Sequence, residues 1–166
     1  MNLDSSSSVN EMLTIQSPTI GDVVVPASAV MHFVSPMWGF PNEQAFALVP
    51  AARDGLWWLM GVEAPHTTFV LADPFAAFTD YAVELSDVDR ESLALTDAGE
   101  ALVLVMLTLP SAQEVSATAN LRAPLVFHVT SQRVLQVVSS NEQHSLQQPV
   151  ALSIYPLNDA TELPTV

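Results

Sequence analysis

The feature that most constrains this chain is a series of short apolar runs, rich in β-branched and aromatic residues and separated by Pro, Gly, Asn and Asp. The turn-forming residues recur about every ten positions, a spacing typical of antiparallel sandwiches and barrels. The sequence therefore predicts a mainly β fold, a small antiparallel barrel-like or sandwich-like single domain with one short helix. The predicted strands are residues 23–25, 30–34, 46–49, 56–62, 67–71, 81–85, 102–109, 125–130 and 134–138.

Local patterns refine this prediction. The run 102–109 is apolar at nearly every position, which predicts a central strand covered on both faces. Trp57 and Trp58 are adjacent, so in a strand they point to opposite faces, one into the core and one partly exposed. Ser86 followed by Asp89 is a capping-box pattern, which predicts that the helix begins there.

The two ends of the chain differ in character from its middle. The serine-rich residues 1–20 lack a clear period and are predicted to be a disordered leader. The domain is predicted to span residues 21–157, and residues 158–166 are predicted to be a C-terminal tail.

Charge limits the partners that this chain can bind. The chain has eighteen aspartate and glutamate residues, four arginines and no lysine, which gives a formal net charge of −14. Such a field repels nucleic acid and anionic lipid and attracts basic proteins. The same composition also has a purely solubilising interpretation. No apolar run approaches the ~20 residues of a membrane-spanning helix, no signal peptide is visible and cysteine is absent, so the cytoplasm is the expected location.

No motif for catalysis is present. The four histidines are far apart in sequence, and none is paired with a carboxylate at the spacing of a metal site. Asp87, Asp89 and Glu91 lie together, but their place on the first turns of a helix indicates a solvated face. We therefore expect no enzyme activity, no metal and no cofactor.

Three segments, in order and correctly spaced, resemble the FliW family. They are FVSPMWGF at residues 33–40, WWLMGVEAP at 57–65 followed by FVLADP at 69–74, and TANLRAPLVF at 118–127 followed by Arg133 and residues 136–138. The resemblance covers residues 30–138. Pro36 and Trp38 depart from the family's loop, and residues 141–148 depart from its C-terminal strand pair.

This resemblance implies a monomeric flagellar assembly factor. Members of the family bind CsrA, a small dimeric RNA-binding translational repressor, and also flagellin, so that flagellin synthesis is coupled to export. The implied protein contacts no RNA itself. Two alternatives remain open: a flagellin chaperone without a role in translation, and a β-barrel that binds a small molecule in an aromatic pocket.

Acidic and aromatic positions within the matching motifs are the expected partner contacts. Asn120 is also expected to form a turn through its side-chain amide, and Arg133 to pair with a carboxylate. The expected partner-binding residues are Trp58, Glu63, Asp73, Phe75, Asp80, Tyr81, Asn120, Arg133 and Glu142.

Overall fold

The computed structural model describes residues 11–109 and 116–158. Within these ranges the chain forms eleven strands and one α-helix. The strands are β1 (Met12–Ser17), β2 (Gly21–Pro26), β3 (Val30–Phe33), β4 (Ala45–Pro50), β5 (Leu56–Gly61), β6 (Thr68–Ala72), β7 (Leu102–Thr108), β8 (Ser116–Ala119), β9 (Leu125–His128), β10 (Arg133–Gln136) and β11 (Gln148–Ala151), and the helix is α1 (Asp87–Ser92).

Seven of the strands close into a barrel. Their order is β7-β6-β5-β4-β3-β10-β9, and β9 pairs with β7 to complete the ring. All of these pairings are antiparallel except that of β10 with β3. Strands β8 and β11 extend the sheet beyond β7, while β1 and β2 form a separate hairpin. The predicted mainly β, barrel-like fold is confirmed.

The alternation of side chains along each strand divides the core into two layers. On β5, Leu59 points into the barrel interior, whereas Trp58 and Met60 point outward. The outward layer is covered by the β1–β2 hairpin, by β8 and by β11. Trp58 is 4% exposed and Trp57 is half-buried against the interior, so the prediction of one core and one partly exposed tryptophan is confirmed.

The apolar run at residues 102–109 contains strand β7. Leu104 faces the barrel interior, and Val105 and Leu107 face the outer layer. All three are buried, whereas Thr108 and Leu109 at the end of the run are exposed. The central part of the run is therefore covered on both faces, as predicted.

The helix begins where the sequence predicts. Ser86 Oγ accepts a hydrogen bond from the backbone N–H of Asp89 at 3.1 Å, which satisfies one of the free donors of the first turn. A complete, reciprocal capping box is found instead at the 3₁₀ turn Ala98–Glu100, between Asp97 and Glu100. The short turn at Pro74–Ala76 is also a 3₁₀ helix.

The predicted disordered leader is wrong for residues 12–17. They form β1, which pairs in register with β2 and buries Ile15 against Val23 and Val25. The sequence hides this strand because its apolar partners lie on β2 and on the barrel and not within its own short run. Residues 1–10 lie outside the described part of the chain, as do residues 159–166 of the predicted tail.

The predicted strand at residues 81–85 is also absent. Tyr81, Val83 and Leu85 do alternate inward, but this segment has no ladder partner. Alternation reports which side faces the core, and it does not require that the backbone join a sheet. Strands β8 and β11 were not predicted, because their sequences, SATA and QPVA, contain no apolar run, and Pro149 in β11 argues against a strand. No helix in the described residues has the length and apolar character needed to cross a bilayer.

Candidate partner-binding surface

Tyr81 anchors the surface on which several predicted site residues meet. Its side chain is buried, and its hydroxyl donates a hydrogen bond to the carbonyl of Leu121 at 2.7 Å. Burial raises the pKa of Tyr81 to about 12, so the phenol stays neutral and remains a donor. One side of the ring contacts Phe75, with centroids 5.8 Å apart, and the ring also contacts His144 at 4.6 Å.

Asp73 holds Phe75 in place. Its Oδ1 accepts from the backbone N–H of Phe75 at 2.9 Å and so begins the 3₁₀ turn Pro74–Ala76. Its carbonyl accepts the Tyr155 hydroxyl at 2.6 Å, which fixes the same turn from the C-terminal segment. Phe75 is left 42% exposed on a turn held from two sides.

Asn120 positions the carbonyl that Tyr81 binds. Its Oδ1 accepts from the backbone N–H groups of Arg122 and Ala123, at 3.1 and 3.0 Å. The amide therefore replaces a backbone partner in the turn that precedes β9, as predicted. These two hydrogen bonds occupy the side-chain oxygen of Asn120 within the fold.

A cleft opens between Tyr81 and the loop 141–148. The loop is fixed internally, because the ring Nδ1 of His144 is hydrogen-bonded to Ser139 and the Asn141 side chain accepts from the backbone N–H of Gln143. The cavity has a volume of about 260 Å³. We call it the Tyr81 cleft, and it is lined by Phe78, Asp80, Tyr81, Leu121, Asn141, Gln143, His144 and Gln148.

The cleft and its rim bring together more than half of the predicted residues. Asp80 and Tyr81 line it, and Phe75 contacts Tyr81. Asp73 holds Phe75, and Glu142 is an exposed residue between two lining residues of the loop. Phe78, His144 and Gln148 also line the cleft and were not predicted, although residues 141–148 depart from the family's pattern.

Three predicted residues, Trp58, Glu63 and Arg133, lie outside the cleft. Trp58, one of the expected partner-binding residues, is buried in the core, which is contrary to a direct partner contact; the partly exposed member of the pair is Trp57. Glu63 is exposed beside a second, polar cavity of about 360 Å³. That cavity is lined by His32, Asn42, Glu43, Gln44, Ala45 and Glu63.

Arg133 pairs with no carboxylate among the residues that the structure describes. Its guanidinium donates to the carbonyl of Ser92 at 3.0 Å, where it neutralises part of the negative end of α1. Across residues 11–109 and 116–158, no arginine lies within ion-pair distance of a carboxylate. Among the described residues the predicted ion pair is therefore absent, and the guanidinium binds the free carbonyl at the helix end instead.

The surface carboxylates of the described residues therefore form no ion pairs with arginine. Arg53, like Arg133, donates to main-chain carbonyls, those of Leu152 and Tyr155. In the described ranges the only ion-pair contact joins Glu100 to His128. No group of three metal-binding side chains occurs in the same ranges. The arrangement is suited to protein contact, with an aromatic rim and a surplus of acceptors.

Comparison with known proteins agrees with the motifs. The family described as FliW protein matches residues 14–150. The chain is 34% identical over 125 residues to the flagellar assembly factor FliW of an Exiguobacterium species, covering 75% of this chain and 86% of that protein. It is 26% identical over 133 residues to the flagellar assembly factor FliW of Pseudothermotoga lettingae, covering 80% of this chain and 85% of that protein.

The fold agrees as well. A crystal structure of the flagellar assembly factor FliW superposes with a TM-score of 0.71 and 27% identity, covering 81% of this chain and 94% of that one. The family predicted from the three sequence segments is confirmed by both comparisons. The chain belongs to the FliW family.

Proposed function

We propose that this chain is a flagellar assembly factor that acts by binding proteins in the cytoplasm and has no catalytic activity. Its partners are CsrA, whose repression it relieves, and flagellin, which competes for it. The observation that carries the proposal is the Tyr81 cleft, where predicted contact residues from distant motifs meet on one surface in a chain of the FliW family.

The chemistry of the cleft favours a basic or amphipathic partner. Asp80 supplies a carboxylate, the loop supplies carboxamide groups, and no arginine lines the cavity. Phe75 beside it offers an exposed ring that is already fixed in position, so little side-chain entropy is lost when a partner covers it. Aromatic anchors of this kind supply much of the affinity of protein interfaces.

The charge of the chain fits an antagonist that does not touch RNA. Two of its four arginines are bound to main-chain carbonyls, and the net charge is −14. An RNA backbone is repelled by such a surface, whereas a basic RNA-binding protein is attracted and held away from its RNA. The chain is proposed to act as a monomer.

The packing argues against the small-molecule alternative. A ligand-binding barrel needs a cavity of roughly 300–1,000 Å³ lined mainly by apolar groups. Here the barrel interior is filled by buried side chains that include Phe46, Leu59 and Phe127. The two polar clefts lie outside that interior layer and are lined in part by carboxylates and carboxamides.

Calorimetric titration of the full chain with CsrA and with flagellin from the same bacterium tests the proposal. We expect saturable binding of both, with the affinity for CsrA falling steeply as salt rises. The double variant Phe75→Ala, Asp80→Asn should bind at least one partner about tenfold more weakly, a loss of ~1.4 kcal/mol.

The matched control is Val24→Ala, Asp22→Asn, which removes an exposed apolar side chain and a carboxylate from the β1–β2 hairpin. It should bind like the wild-type chain. Binding of flagellin without CsrA would favour the chaperone alternative, and binding of neither partner by folded protein would overturn the proposal.

A further inference from the structure

Trp38 is the most exposed phenylalanine, tyrosine or tryptophan of the described residues, and it lies on a tight turn beside the end of β10. Its side chain is 64% exposed, and the turn at residues 37–40 is closed by a hydrogen bond from the Phe40 N–H to the Met37 carbonyl at 3.0 Å. Gly39 has φ +89°, a backbone conformation in which glycine is the usual residue. The Trp38 ring therefore stands on a defined turn and faces solvent.

The turn is attached to the barrel on both sides of Trp38. Met37 is buried in the interior layer, and Phe40 packs against the same layer and meets Phe69 edge to face, with ring centroids 4.9 Å apart. The backbone N–H of Trp38 itself donates to Oε1 of Gln136, the last residue of β10, at 3.1 Å. The backbone that carries the ring is thus fixed before any partner arrives, which lowers the entropy lost on binding.

The described part of the chain leaves both faces of this ring open. Within it, no other aromatic ring and no cation stacks on Trp38. Exposed apolar side chains occur on either side of β10: Val34, whose N–H donates to the Val134 carbonyl, is 37% exposed, and Val138, two residues beyond Gln136, is 51% exposed. A tryptophan held in place and surrounded by such residues is typical of the central contacts of protein interfaces.

The turn and the Tyr81 cleft are close enough for one partner to cover both. Ser139 is three residues beyond Gln136, and its Oγ is hydrogen-bonded to the ring of His144, which lines the cleft. Three extended residues and one glutamine side chain place the Trp38 backbone within roughly 20 Å of Ser139. An interface that buries about 800 Å² on each partner is about 30 Å across, so it can include both sites.

We propose that Trp38 is a second contact of the partner-binding surface, and that its ring takes a lysine or arginine side chain of the basic partner that occupies the Tyr81 cleft. This inference rests on the proposed function above. The face of a tryptophan ring attracts a cation, and a chain with a net charge of −14 draws a basic protein towards it. A partner must then present a cation at a set distance from the residue in the cleft, which makes Trp38 a determinant of specificity.

Calorimetric titration of the full chain with CsrA from the same bacterium, the basic partner, tests this contact. Trp38→Ala should weaken the affinity for CsrA at least about tenfold while leaving the thermal midpoint nearly unchanged, because the side chain is exposed. Trp38→Phe keeps an aromatic face and should lose less affinity than Trp38→Leu, which keeps apolar bulk without a ring. The matched control is Val88→Ala, which shortens an exposed apolar side chain on α1 and should bind like wild type.

Fluorescence gives a second measurement on the same complex. Trp58 is 4% exposed and Trp57 is half-buried, so quenching by acrylamide reports mainly on Trp38. CsrA should protect the wild-type chain from this quenching and should have little effect on the quenching of Trp38→Phe.

The outcomes separate this inference from the proposed function. CsrA binding by the wild-type chain that is unchanged in Trp38→Ala would overturn the inference and leave the proposed function standing, whereas no CsrA binding by the folded wild-type chain would overturn both. Equal affinities of Trp38→Phe and Trp38→Leu would contradict a cation on the ring. A loss of affinity for flagellin alone would also overturn the inference, because the occupant would then not be the basic partner.

Discussion

Removing one hydroxyl, in Tyr81→Phe, should destabilise the protein while keeping the shape of the cleft. The Tyr81 hydroxyl donates to the Leu121 carbonyl at 2.7 Å, and both residues are buried. The variant leaves that carbonyl without this donor, which costs about 1–3 kcal/mol. For a chain of this size, a loss of about 2 kcal/mol lowers the thermal midpoint by roughly 4–8 °C.

Calorimetric or circular-dichroism melting of both proteins measures the effect. Phe75→Leu is the matched control, because it changes the neighbouring exposed ring without removing a buried hydrogen bond, and it should stay within about 0.5 kcal/mol of wild type. Because the aromatic ring remains, Tyr81→Phe should bind partners nearly as well as wild type at low temperature. A melting point unchanged by Tyr81→Phe would refute the assignment of this hydroxyl as the anchor of the surface.

Three further predictions follow from the same contacts. Burial raises the pKa of both tyrosines, Tyr81 and Tyr155, to about 12, and at Tyr155 the charge of Asp73 adds to the effect. Absorbance at alkaline pH should therefore show no phenolate that forms with the ordinary tyrosine pKa of ~10. The free energy of unfolding should keep its full value below pH ~10 and fall as the pH rises towards 12. Titration of either tyrosine with the ordinary pKa would contradict its burial. Gly55→Ala should cost about 2 kcal/mol or more in a denaturant titration, because Gly55 has φ +92° and a Cβ there would meet the Tyr155 ring at 2.7 Å. Gly99→Ala, where a Cβ has only ordinary contacts, is the control and should change stability little. Leu59→Ala should cost about 2–5 kcal/mol by chemical denaturation, since Leu59 is fully buried in the barrel interior, and a loss below 1 kcal/mol would contradict that packing.

The sequence predicts the barrel because burial on this fold follows local periodicity. β5 and β7 both have runs whose alternate residues enter different core layers, and such runs are visible without a structure. The helix start is equally local, since Ser86 and Asp89 are three residues apart. Strand β1 could not be predicted, because Ile15 is buried by residues on other elements and its own segment carries little signal.

The candidate surface was predictable only in part. Asp80 and Tyr81 come from a recognisable motif, but the contact between Tyr81 and His144 joins residues 63 positions apart. The placement of Trp58 in the core depends on which face of β5 the hairpin covers, and alternation alone cannot decide that.

Hydrogen–deuterium exchange of the full chain, alone and saturated with CsrA or flagellin from the same bacterium, tests most directly whether the Tyr81 cleft is the binding surface. We predict slower exchange in peptides covering residues 73–81 and 141–148 with at least one partner, and unchanged exchange in the β1–β2 hairpin. Protection confined to the hairpin, or no change around Tyr81 when both partners are bound, would contradict a role for this cleft in partner binding.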